Sequence, residues 1–231
     1  MCFSAEASFG ASVILGTVGV ITVRQVQTKS QLPFAIIPFI FSFQQFTEGV
    51  LWMTFHNNNL AFLQPIATYT FLIFAQIVWP TWVPLSIILL EKDVRRKKIL
   101  YVILGLGILC SVYITYSFLF YNVHSEISNH HIQYTFDYPH TAHFLWLTGL
   151  FYFIPTVVST FISSVKRMQI LGIIILLSCL ITRTLMQQHF ISVWCFFAAL
   201  ISVIVLFIIF RLQKSTDELD TLTPLSSTFQ R

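Results

Sequence analysis

The chain has 231 residues, 56% of them hydrophobic and only 10% charged, with a mean hydropathy of +0.77. Soluble domains carry roughly a quarter charged residues, so this composition excludes a water-soluble globular protein and indicates a membrane protein. The net charge of +4 does not indicate a nucleic-acid binder, because the cations sit in short loops between apolar stretches, where topology accounts for them.

A bilayer core about 30 Å thick takes about 20 apolar residues in a helix. Stretches near that length occur at 3–23, 33–55, 61–90, 99–120, 141–162, 170–187 and 191–210. They are continuous and do not alternate, which points to helices and away from barrel strands. The expected fold is all-α, a polytopic bundle of seven transmembrane helices in residues 1–210, followed by a disordered tail, 211–231. The first residues lack the basic region of a signal peptide, so the first stretch reads as a span.

On that first stretch Ser8, Ser12 and Gly16 recur every four residues and form a face suited to close helix contact. The second, around "FIFSFQQFTEGVLWMTF", carries Gln44, Gln45 and Glu48 on one helical face that Trp52 continues. The third contains "IVWPTWVPL", where Pro80 and Pro84 predict a kink or break, with Trp79 and Trp82 as interface anchors. Between the fourth and fifth lies the longest polar loop, "YNVHSEISNHHIQYTFDYPH", whose His124, His130 and His131 read as loop surface. Asp137, His140 and His143 gather where the fifth begins, and the sixth ends in "ITRTLMQQHF", with Arg183 and Gln187 four apart and His189 at the outer turn. Cys2, Cys110, Cys179 and Cys195 lack metal-type spacing, and three lie in apolar runs, so neither a disulfide framework nor a zinc knuckle is indicated.

Twelve of the thirteen Lys and Arg fall in the loops after the odd-numbered spans and in the tail. The positive-inside rule makes that side cytoplasmic, which leaves the N-terminus outside and the tail in the cytoplasm. Arg183 is the exception. In this threading Glu48 lies about 10 Å below the outer end of its helix. Acids, histidines and the off-side Arg183 thus converge on the outer third of the bundle. Ionised groups are expensive in hydrocarbon, so these residues are expected to meet one another or a water-filled cavity, with Glu48 the first choice of partner for Arg183 and Glu6 the second. The candidate ligand-binding or proton-relay set is Glu6, Gln44, Gln45, Glu48, Trp52, Arg183 and Gln187. His140, His143 and His189 are the candidate metal ligands, and zinc is the metal they would suit. Each has a plain structural alternative: Glu48 with Arg183 as a helix clamp, the glutamines as interhelical glue, the histidines as interfacial residues.

The segments "MCFSAEASFGA", "LPFAIIPFIFSFQQFTEGVLW" and "SVWCFFAALIS" resemble a family of bacterial multi-span membrane proteins of unknown function that open with Met-Cys-Phe-Ser-Ala. The resemblance implies a multi-pass protein of the bacterial cytoplasmic membrane and places Cys2, Ser4, Glu6, Gln44, Gln45, Glu48, Trp52, Trp194 and Cys195 in motif segments. Trimming of Met1 would leave Cys2 with a free amine and thiol, a candidate nucleophile or chelate, whereas a small residue starting a helix is the plainer reading.

Three functions fit these residues. The first is binding or transport of a small ligand, or proton relay, in an outward polar pocket. A metal-dependent intramembrane hydrolase of lipid-like substrates is the second. Its plan looks like that of the seven-span ceramidase and progestin-receptor-like superfamily in architecture only, since the paired-His motif of the last span and the Ser/Asp set are missing here. The third is an assembly protein whose polar residues serve helix packing. A retinal Schiff base is not expected, because every lysine lies in a loop or the tail. The expected partners are the lipid bilayer and a small molecule, not nucleic acid.

Overall fold

The computed structural model describes residues 4–128, 131–137, 142–185 and 187–213. Six helices in it are long and apolar enough to cross a membrane: α1 Ala5–Arg24, α2 Lys29–His56, α3 Asn58–Leu90, α4 Val94–Phe120, α6 Arg167–Leu185 and α7 Phe190–Gln213. The fifth expected stretch forms a shorter apolar helix, α5 Leu147–Ile162. Each expected span therefore corresponds to a helix, and six of the seven have spanning length among the described residues.

Local chemistry sets the ends and breaks. The Ser4 side chain accepts from Ala7 N at the start of α1, and Asp93 caps α4 by accepting from Arg95 N and Arg96 N. Inside α3 the helix widens to a π-helical stretch at Ile73–Val78, just before Pro80. Pro80 has no N–H for the carbonyls of Ala75 or Gln76, so the expected break takes this form. Side chains of other helices fill the gap: Tyr152 OH donates to Ala75 O at 2.6 Å, and Ser111 Oγ donates to Ile77 O at 2.7 Å. A matching π-helical stretch, Ile154–Val158, surrounds Pro155 in α5. Helix α4 passes so close to the α3 break that a Cβ on Gly107 would collide with Pro80 O.

Helices α1 and α2 form an antiparallel pair joined by small residues, as the Ser8–Ser12–Gly16 face predicts. Ser42 Oγ donates to Ser12 O at 2.7 Å, a Cβ on Gly16 would lie 3.0 Å from Ser42 Oγ, and Gly19 abuts the Phe39 backbone. Farther along, Gly49 faces the Phe9 ring. This register brings Ser8 to the level of the Glu48–Trp52 turn.

The loop before α5 departs from its sequence reading. Residues Val123–Ser128 (β1) and His131–Phe136 (β2) pair as an antiparallel hairpin that lies on the helices. Val123, Ser125, His131, Ile132 and Tyr134 are buried. Tyr134 stacks on Phe71 of α3 with centroids 5.3 Å apart, and the Ser125 hydroxyl pairs with that of Thr68 at 2.7 Å. His131, read from the sequence as loop surface, is instead 5% exposed: it stands at the start of β2, on the face opposite Ile132 and Tyr134, and its ring is covered by His189 at the start of α7. His130 lies outside the described residues.

Two large apolar clusters fill the interior, with a small third one of Ala11 and Phe196. One, with Phe34, Ile87, Leu100, Met168 and Ile208, occupies the half nearest the basic loops. The other, with Leu51, Trp52, Phe71, Ile132, Tyr134 and Cys195, lies beneath the hairpin. A polar knot closes the basic end. Glu91 Oε1 accepts from Lys92 N, Asp93 N and Ser164 Oγ, while its Oε2 accepts from Ser164 N. Arg96 Nη1 donates to the carbonyls of Ile162 and Ser163, both at 3.0 Å.

Candidate functional site

Helix α2 carries the site because its polar residues repeat every three or four positions and so share the face that packs inward. Gln44, Gln45 and Glu48 have no exposed surface, and Trp52 is 3% exposed. Gln44 Oε1 accepts from Trp79 Nε1 at 2.9 Å. Trp79 is therefore a buried partner of the site, stacked on Phe41 at 4.0 Å, and not the interface anchor its sequence context suggests. Trp82 keeps a half-buried position and donates to Pro33 O.

Glu48 Oε1 accepts from Ser192 Oγ of α7 at 2.5 Å. Ser192 has no exposed surface, and Cys195, one turn further along α7, adjoins Glu48 and Gln44. The remaining polar atoms of the cluster find no hydrogen-bond partner among the described residues: Glu48 Oε2, both amide atoms of Gln45, Gln44 Nε2, Trp52 Nε1 and Ser8 Oγ. Nearly all buried polar groups in folded proteins are paired, and each unpaired one costs on the order of 1–3 kcal/mol. The unpaired atoms here are concentrated on the facing sides of α1 and α2, at the level of the Glu48–Trp52 turn.

The ion pair expected between Glu48 and Arg183 does not form. Arg183 is exposed on the outer surface of α6, while Arg96 pairs with Asp93 and His124 with Asp137. Helical phase is the reason: the buried faces of α6 carry Met168, Leu171 and Thr182, and Arg183 follows Thr182 directly, so it turns away. Glu6 is exposed too, in the first turn of α1, where a carboxylate suits the helix dipole. Gln187 lies in the short turn Gln187–His189 that joins α6 to α7, and its side chain is outside the described residues.

Of the candidate metal ligands, His189 is 6% exposed and its ring lies 4.8 Å from that of His131. His140 and Cys2 fall outside the described residues, as does the His143 side chain. Among the described residues no group of three His, Cys, Asp or Glu could hold a metal ion. The structure thus unites Gln44, Gln45, Glu48 and Trp52 and leaves Arg183 and Glu6 apart from them. It adds Ser8, Trp79 and Ser192, which sequence reasoning did not select. Ser192 and Cys195, three apart on one face of α7, were the available signal.

Six helices of spanning length and a buried polar cluster define the chain as an α-helical integral membrane protein. Residues 1–219 match the model of DUF6629, a family of unknown function, and the chain belongs to that family. No curated protein and no solved structure matches it.

Proposed function

We propose that this protein binds a small polar solute at the cluster centred on Glu48, in the half of a seven-span bundle that faces away from the cytoplasm. The carrying observation is the buried, half-paired Glu48 carboxyl among unpaired atoms of Gln44, Gln45, Trp52 and Ser8. In hydrocarbon such groups persist where a function requires them, since packing alone is served at lower cost by apolar residues. The clustering of cations at the opposite end supports an outside N-terminus, a cytoplasmic tail and residence in a bacterial cytoplasmic membrane. The hairpin β1–β2 covers the solute's route from the outer water phase. Zinc hydrolysis has the His131–His189 pair in its favour but no third ligand among the described residues.

The test is solute titration of the full-length purified protein in detergent, read by tryptophan fluorescence and by melting temperature. The panel comprises ethanolamine, glycine, acetate, urea and glycerol. At least one solute should give a saturable response that Glu48→Gln abolishes while its melting temperature stays within a few degrees of wild type. A response to none of the five, or an unchanged response in Glu48→Gln, overturns the proposal in favour of a packing role.

A further inference from the structure

The unpaired atoms of the Glu48 cluster fall into two chemical sets. One contains oxygens: Glu48 Oε2, Gln45 Oε1 and Ser8 Oγ. The other contains N–H donors: Gln44 Nε2, Gln45 Nε2 and Trp52 Nε1. Gln44 is fixed in its sense by the bond from Trp79 Nε1 to its oxygen, which turns its amide nitrogen toward the cluster, beside Cys195. Glu48 is the acidic side chain of the cluster, and Arg183, the side-chain cation expected beside it, is exposed elsewhere.

From this inventory we infer that the solute is a small ammonium compound that also carries an oxygen acceptor, the class to which amino alcohols and amino acids belong. The inference rests on the binding reading above and names its substrate class. An ammonium group brings a positive charge to the acidic side of the cluster and three donors, which matches three unpaired oxygens. The acceptor on the same molecule answers the amide and indole N–H groups, which a bare metal cation would leave unmet. A neutral polyol would pair the hydrogen bonds but leave the buried carboxylate uncompensated, and an anion would add to its charge. Trp52 and Trp79 add aromatic surface beside the cluster, of the kind that attracts organic cations.

The solute panel separates this inference from the reading it rests on. Ethanolamine and glycine, titrated at constant ionic strength with sodium chloride as the balancing salt, should raise the melting temperature by about 2–4 °C. Acetate, urea and glycerol should each shift it by less than a quarter of that, and Glu48→Gln should lose the ammonium response. Ser8→Ala, which removes one oxygen without touching the carboxylate, should weaken ethanolamine binding about fivefold to tenfold. Its fold is checked by the unshifted melting temperature of the solute-free protein. Binding of acetate, urea or glycerol without ethanolamine or glycine overturns the ammonium inference and leaves the site standing. An equal response to sodium chloride in place of the ammonium salt overturns it too. A response to nothing in the panel removes both.

Discussion

Two of the described glutamates are buried, one near each end of the bundle, and they are treated in opposite ways. Glu91 at the basic end has a hydrogen bond on each carboxylate oxygen, four in all, from the loop that follows it and from Ser164. Glu48 near the hairpin end has one bond from Ser192, and its second oxygen is unpaired. Burial disfavours ionisation of Glu91, but the Ser164 hydroxyl and the backbone N–H groups of Asp93, Ser164 and Lys92 outweigh it and hold the carboxyl below the ordinary glutamate range. A satisfied buried carboxylate ties elements together. In the binding reading proposed above, the half-satisfied carboxyl of Glu48 serves a solute and not the packing.

This contrast can be broken or sharpened by experiment. The largest effect should come from Glu91→Ala, which strips the acceptor from four donors and should cost about 2–3 kcal/mol in SDS-induced unfolding; a loss below about 0.5 kcal/mol would refute the knot. Ser192→Ala removes the single bond on Glu48 and should cost about 1 kcal/mol in the same assay, with a change in solute response that no Glu91 variant shows.

Acid provides a third comparison. The Glu91 carboxyl is depressed in the folded protein, so its stabilisation is present above the unfolded glutamate value of about 4.3 and is lost as the pH falls through the folded value. Wild-type stability should therefore decline below about pH 4.3 more steeply than that of Glu91→Gln, which has no proton to gain there; parallel curves would contradict the assignment. The smallest effect on stability is expected for Glu48→Gln, within about 0.5 kcal/mol of wild type, because the amide keeps an acceptor for Ser192 and removes a buried charge. A loss comparable to that of Glu91→Ala would make Glu48 a structural residue as well.

Particular residues show where sequence reasoning reached. Apolar run length depends only on the thickness of the bilayer, so the helices were legible from composition, and the break at Pro80 followed from its missing N–H. The grouping of Gln44, Gln45, Glu48 and Trp52 was legible because one helix holds all four and its periodicity is fixed. Arg183 was misassigned to that group for the converse reason: depth can be counted along a helix, but the direction it faces depends on how α6 is rotated against its neighbours. The hairpin at Val123–Phe136 escaped because its strands carry polar residues and take their register from the helices beneath them.

What the sequence by itself determined is therefore the solvent, the number of apolar stretches and the contents of each helical face, all consequences of local geometry and the cost of polar groups in lipid. Only the tertiary structure decided which faces meet: Ser192 with Glu48, Trp79 with Gln44, Ser8 at their level, and Arg183 turned away. Those pairings join residues up to 144 positions apart. They are set by helix rotation and close packing, which no count along the chain contains.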